Sequence, residues 1–125
     1  MCGIIGYAGY RNASDVALAA LEKLSYRGYD SAGICVYAKG LKVEKAAGKI
    51  QVLKERLAAS PLPESHTGIG HTRWATHGGV SDKNSHPQGN ARVQIVHNGI
   101  IENYLLLKQK LTAFGYTFNS ETDTE

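Results

Sequence analysis

The sequence predicts an α+β fold built in layers, and three observations carry that prediction. Short apolar runs of strand type recur along the chain, and stretches with helical periodicity alternate with them. Two of the strand-type runs, Ser31–Tyr37 and Leu41–Ala46, meet across Lys39-Gly40 as a hairpin would. Hairpins mixed with helices favour antiparallel α+β layers over a parallel doubly wound sheet.

The elements follow in order. Cys2-Gly3-Ile4-Ile5-Gly6-Tyr7-Ala8-Gly9 reads as a buried strand punctuated by glycine. Its GxxGxxG spacing is not that of a dinucleotide-binding turn, so these glycines read as places where another backbone or a ligand comes close. Asn12 or Ser14 caps a helix with Val16, Ala20, Leu21 and Leu24 on one face, and Arg27-Gly28 stops it. After the hairpin, Ile50, Leu53 and Leu57 mark a second helix, ended by Pro61 and Pro63. Thr67–Trp74 is a strand, 75–91 a loop containing glycine and histidine, and Arg92–His97 a strand that ends at the turn pair Asn98-Gly99. A third helix, capped by Asn103, places Tyr104, Leu107, Leu111 and Phe114 on one face; Gly115 closes it and Tyr116–Phe118 begins a further strand. The acidic run from Glu121 to Glu125 would be solvated and loose if nothing packed over it.

Composition excludes several classes. The 125 residues fit one small domain with a real core. A net charge of +3, evenly spread, does not make a nucleic-acid surface. No apolar run approaches the ~20 residues that span a bilayer, and the start lacks the pattern of a secretory signal. Two cysteines make no disulfide framework and suit a reducing compartment, so the expected location is cytoplasmic; Cys35, in Ala32–Tyr37, reads as a small buried apolar residue.

The candidate chemistry begins at Met1-Cys2. Removal of Met1 would give a residue carrying both a thiol and a free α-amine. Ordinary groups of these kinds titrate at roughly 8.5 and 7.7–8.0. A thiolate beside an amine that takes its proton is the N-terminal-nucleophile form of covalent catalysis. Polar clusters then stand at strand ends: Tyr26–Ser31, His71–Gly78 and His97–Gly99. Arg73 offers a rigid fork suited to a carboxylate. Asn98 supplies an amide donor and Gly99 a backbone N–H open to close approach, which together are the parts of an oxyanion hole. Each alone has an ordinary alternative: Asn-Gly as a turn, Arg73-Trp74 as a surface cation–π pair, Arg27-Gly28 as a helix stop.

In combination, Cys2–Gly6, Tyr26–Gly33, His71–Gly78, His97–Asn103 and Ser120–Glu125 resemble, in order and from end to end of the chain, the glutaminase domain of the glutamine–fructose-6-phosphate aminotransferases. These belong to the class II glutamine amidotransferases, which are N-terminal-nucleophile hydrolases. The resemblance implies the first part of a four-layer αββα sandwich, with the rest of that domain and a sugar isomerase domain lying beyond this chain. It implies that Cys2 attacks the side-chain amide of L-glutamine, that Asn98 and Gly99 hold the oxyanion, and that Arg27 lies near the nucleophile. Arg73, helped by Thr76 and His77, would grip the substrate carboxylate, Asp123 with Gly99 its ammonium, and Trp74 would close over it. No metal or cofactor is implied. The partners implied are glutamine, the isomerase domain with fructose 6-phosphate, and further copies of the full-length enzyme.

Three other readings compete. The five histidines and two cysteines show no HExxH or CxxC spacing, which disfavours a metal site. Another N-terminal-nucleophile amidase would share Cys2 without needing Arg73 and Asp123 for a zwitterion. An inert truncated fragment would carry the same residues.

Overall fold

A computed structural model describes residues 1–125. Its elements are β1 (Gly3–Ala8), α1 (Ala13–Leu24), β2 (Ser31–Tyr37), β3 (Leu41–Ala47), α2 (Ile50–Ala59), β4 (Thr67–Arg73), β5 (Gln88–Gly89), β6 (Gln94–Ile95) and α3 (Tyr104–Ala113). Four strands form one antiparallel sheet in the order β1-β4-β2-β3, and β5 and β6 pair as a short separate ladder. The α+β layering is therefore present, as one sheet with helices packed on it. No helix is long and apolar enough to cross a membrane.

The register decides which side chains share a face. Ala32, Ile34 and Val36 of β2 stand opposite Thr72, Gly70 and Gly68 of β4, which in turn face Gly3, Ile5 and Tyr7 of β1. That face carries the core: Ala13, Ala17 and Leu21 of α1 and Leu53 of α2 pack with Ala32, Ile34, Val36 and Ala46. Burial of a Leu or Ile side chain of this kind contributes roughly 1.5–3 kcal/mol. Helix α1 sits low because β4 presents glycine beneath it. A Cβ at Gly70 would lie 2.9 Å from Ile5 and 3.2 Å from Leu21, and one at Gly68 would lie 3.2 Å from Ala13.

Several local expectations are corrected. β1 is an edge strand, paired only with β4 and buried on alternate residues; Ile4 is exposed. The face expected for α1 is the one that packs on the sheet: Ala13, Ala17 and Leu21 are fully buried, and Val16, Ala20 and Leu24 are half-buried along its margin. Asn12 is the N-cap residue, but its side chain bonds Ser14 and Asp15 instead of a helical N–H. β3 runs one residue further than expected and β4 one residue less, to Arg73. The strand expected over Arg92–His97 shrinks to Gln94–Ile95, since its only partner is the two-residue β5. Tyr116–Phe118 forms no strand; nothing in the chain pairs with it. α3 forms where the periodicity places it, but buries no residue.

The opposite face of the sheet carries Ile4, His71, Gly33 and Lys45 in one row and Ser31 and Arg73 in the next. The segment from Thr76 to Gly99 covers part of it through polar contacts. Lys45 donates to the carbonyls of Lys83 and Pro87, and the Ala47 N–H donates to Asp82 at 2.7 Å. At Gly33 a Cβ would run into the His86 carbonyl, whereas at Gly6 it would meet nothing within 4 Å. Gly33→Ala is accordingly expected to cost about 1–3 kcal/mol in urea unfolding, and Gly6→Ala to change stability by no more than about 0.5 kcal/mol. Equal effects at the two positions would show that the cover does not rest on Gly33.

Candidate active site

Cys2 precedes β1 and meets the residues that follow β4, because β1 and β4 are neighbours. The Gly3 N–H donates to Thr72 Oγ1 at 3.0 Å, and the Trp74 N–H donates to Cys2 Sγ at 3.1 Å. The turn after β4 is fastened by Asp30: its carboxylate accepts the Ala75 N–H at 2.6 Å, and its own N–H donates to the Arg73 carbonyl at 2.8 Å. The Met1 ammonium donates to the carbonyls of Arg27 and Gly28 at 2.9 and 3.1 Å.

Asn98 closes the arrangement from the other side. Its Nδ2 donates to the Cys2 carbonyl at 3.2 Å, and its Oδ1 lies 2.7 Å from His71 Nε2. His71 and His86 stack with ring centroids 4.4 Å apart, and His86 Nδ1 accepts the His97 N–H. Burial pushes both histidines down from their ordinary value. His86 falls to about 3, with the charges of His71 and Arg73 adding to burial; in His71 the Asn98 bond opposes the drop.

A cleft of about 250 Å³ opens here, lined among others by Cys2, Arg73, Trp74, Gly99 and Asp123. Arg73 is 4% exposed, and its guanidinium donates to the carbonyls of His77, Gly78 and Gly79. It is thus no surface cation–π pair. The Asp123 side chain is 5% exposed, accepts the Ile101 N–H at 2.7 Å and lies 3.8 Å from His77 Nδ1. The cleft therefore combines a free thiol, a fixed cation and a buried carboxylate in a volume of small-molecule size.

A family profile described as a glutamine amidotransferase domain matches residues 58–125. The chain belongs to that family. Similar glutamine amidotransferases include the glutamine–fructose-6-phosphate aminotransferase (isomerizing) of Thermus thermophilus, 56% identical over 128 residues that cover 100% of this chain and 21% of that protein. The protein of the same name from Corynebacterium efficiens is 55% identical over 134 residues, covering 100% and 22%. Among solved structures, glutamine phosphoribosylpyrophosphate amidotransferase from B. subtilis, complexed with ADP and GMP, superposes with a TM-score of 0.80 at 27% identity over 99% of this chain and 27% of that one. The chain spans about a fifth of the length of the curated relatives it matches.

Of the residues singled out in the sequence, Cys2, Arg73, Trp74, Thr76, Gly99 and Asp123 line the one cleft. Asn98 reaches the Cys2 carbonyl from beside it. Arg27 lines a second, adjoining cavity with Met1, Cys2, Trp74 and Thr76, and its side chain reaches Met1 Sδ at 3.7 Å. His77 lies outside the cleft lining, where its ring packs edge-on against Tyr104 and its carbonyl holds Arg73. The acidic run is not loose: Ser120, Thr122 and Thr124 are buried, and Asn84 bonds Glu121 through both its amide nitrogen and its oxygen.

His71, His86, His97, Thr122 and Thr124 also line the cleft, and the sequence assigned none of them a role of its own. Strand alternation could have found His71, two residues before Arg73 and so on the same face. Nothing local signals His86, whose place depends on the cover folding back.

The buried pair predicts a pH signature. Folded His86 titrates near 3, below the ordinary 6.5, so the unfolded chain binds a proton that the fold refuses. The stability this contributes is complete above pH 6.5 and is lost as pH falls toward 3, by up to about 1.4 kcal/mol per pH unit for each such histidine. His71 shifts in the same direction. Urea unfolding at pH 7, 6 and 5 should show that slope before carboxylates titrate, and His86→Gln should reduce it. A flat profile over this range would mean the pair is not held neutral.

Proposed function

We propose that residues 1–125 are the N-terminal portion of a glutaminase domain that hydrolyses L-glutamine to glutamate and ammonia. One observation carries the reading: Cys2, Arg73 and Asp123 line the same small cleft. Glutamine's α-carboxylate matches Arg73, with Thr76 and His77 on the supporting loop, and its α-ammonium matches Asp123, with the Gly99 backbone beside it. The side-chain amide then points toward Cys2.

With Met1 removed, the free amine of Cys2 takes the thiol proton, and the sulfur attacks the amide carbon. Asn98 and Gly99 stabilise the oxyanion. The C–N bond breaks, and the nitrogen leaves as ammonia with the proton held by the amine. Water attacks the γ-glutamyl thioester, the C–S bond breaks, and glutamate and the thiol are released. Trp74, exposed at the cleft mouth, closes over the substrate, and Arg27 lies beside Cys2 in the adjoining cavity.

The names of the relatives support a further step in the complete protein, in which the ammonia passes to a sugar isomerase domain that converts fructose 6-phosphate to glucosamine 6-phosphate. That protein would be a cytoplasmic homo-oligomer.

Ammonia release from glutamine by the complete protein tests the reading. An extra residue left ahead of Cys2 is expected to abolish turnover while the fold is kept, because an acylated nitrogen cannot act as the base; full turnover with the extension would refute the N-terminal mechanism.

Specificity is separable from chemistry. Hydrogen bonds to charged groups contribute about 1.5–3 kcal/mol each, so Asp123→Asn and Arg73→Ala should each lower kcat/KM for glutamine by about tenfold or more. Asp123→Asn should leave hydrolysis of the des-amino analogue unchanged, and Arg73→Ala should erase the preference over the des-carboxy analogue. Undiminished discrimination in both variants would place the zwitterion clamp elsewhere.

A further inference from the structure

We infer that His71 is a positioning residue for the oxyanion donor: its Nε2–H fixes which way the Asn98 carboxamide points, and so turns the amide nitrogen toward Cys2. The inference rests on the proposed role of Asn98. A carboxamide has nearly the same shape after a half-turn about its last bond, so packing alone scarcely distinguishes the two orientations. They differ greatly for catalysis. One presents N–H donors to a developing oxyanion; the other presents a second oxygen, which repels it.

Asn98 is exposed, so its surroundings do not confine it sterically. Its orientation is set by two bonds: Nδ2 to the Cys2 carbonyl at 3.2 Å and Oδ1 to His71 Nε2 at 2.7 Å. The first of these requires the oxygen to face His71, and His71 must therefore carry its proton on Nε2. With the proton on Nδ1, two lone pairs would oppose each other at 2.7 Å, and the carboxamide would turn over and lose Cys2. Tautomer and amide orientation are one coupled choice.

The rest of the ring is consistent with that single task. His71 is 1% exposed, stands in the ladder between Ile4 and Gly33, and is clamped by the His86 ring at 4.4 Å. Its Nδ1 makes no hydrogen bond of normal geometry, and the nearby His97 backbone only offsets part of the drop that burial causes. A buried polar nitrogen without a partner is costly. A histidine kept for packing alone would be better replaced by an apolar ring. The ring instead directs its one hydrogen bond to the residue that reaches the nucleophile.

The test compares His71→Gln, whose amide nitrogen can reach the place of Nε2, with His71→Leu, which cannot donate. In the complete protein, kcat and KM for glutamine are measured with inhibition by glutamate and by glutamate γ-semialdehyde. Glutamate needs no oxyanion donor, whereas the aldehyde adds to the thiolate and forms an oxyanion. Loss of one such donor lowers rate by about 10²–10³-fold. His71→Leu should therefore lose on the order of 100-fold in kcat and weaken the aldehyde in parallel, with KM and glutamate inhibition within about threefold; His71→Gln should recover most of both. Parallel loss of glutamate inhibition, or no recovery in His71→Gln, would assign His71 to the fold alone and overturn the inference. Should His71→Leu fail to fold, ¹⁵N imidazole spectra of the wild-type protein decide: a protonated Nε2 and bare Nδ1 are expected, and the opposite tautomer refutes it. A wild-type protein that releases no ammonia from glutamine would fail the proposed function instead, a distinguishable result.

Discussion

The register of β1 on β4 is the constraint on which the site depends. Gly3 stands opposite Thr72, donates to its hydroxyl, and has no Cβ; one built there would lie 2.8 Å from Thr72 Oγ1 and 2.9 Å from Leu24. The close fit of helix, strand and strand at this point leaves Cys2 beside the Trp74 N–H. A slip of one residue would send every side chain of β1 to the other face. Ile5 and Tyr7 would leave the helix side, and Cys2 would lose Trp74. The packing of an ordinary apolar core thus determines where the sulfur is. The glycines at 68 and 70 belong to the same device, since they let α1 approach closely enough for Leu24 to meet Gly3.

The other face of the sheet solves a different problem. It is buried but polar: Ser31, His71, Arg73, Asn84, Ser85, His86 and Gln88 are all nearly inaccessible. Unpaired, each would cost free energy, so the cover is assembled from hydrogen bonds. Arg73 is solvated by three loop carbonyls and Lys45 by two. The histidines are accommodated by staying neutral. Arg73 is the charge proposed to meet a substrate, and it discourages a second positive charge on the histidines beside it. Suppressed histidine ionisation and an available arginine are two results of one electrostatic arrangement.

Much of this was legible in the sequence, unevenly and for physical reasons. Strands β2 and β4 and both core helices announce themselves by period, because regular elements that pack on a core must repeat a residue type. The edge position of β1 was not legible: an apolar run looks the same at an edge as in the middle. The lost strands near 92–97 and 116–118 show the same limit, for strand propensity says nothing about whether a partner is present. In the site, residues with unusual chemistry at strand ends were visible, hence Cys2, Arg73 and Asn98; Asp123 was pointed to only by the family resemblance. The loop's grip on Arg73 and the stack of His86 on His71 were not, since both arise only when the cover folds back on the sheet. Sequence reading treated Arg73 as a ligand alone, whereas its guanidinium also holds the loop carrying Thr76 and His77.

The position of Asp123 shows how the distal end of the site is fixed without a core. α3 lies between Asn98 and Asp123 in the chain, yet Leu105, Leu107, Leu111 and Phe114 remain exposed. α3 reaches this segment through polar and aromatic contacts: Lys108 donates to the Ser120 carbonyl, and Tyr104 packs edge-on against the His77 ring. Asp123 is held by the Ile101 N–H, two residues after the Asn98-Gly99 turn, so the acid and the proposed oxyanion donors share one short stretch of backbone. The flanking residues are tied back in the same manner: Thr124 reaches His97, and Glu121 is gripped on both its N–H and its carboxylate by Asn84, a fully buried residue of the cover. Asn84 in turn donates to the Gly79 carbonyl, the same carbonyl that accepts from Arg73. The groups proposed to hold the two ends of an amino acid are thereby linked through one continuous hydrogen-bonded path, and their separation is set by bond lengths within it. A ligand held at both ends by Arg73 and Asp123 would therefore meet a fixed spacing, set by this path.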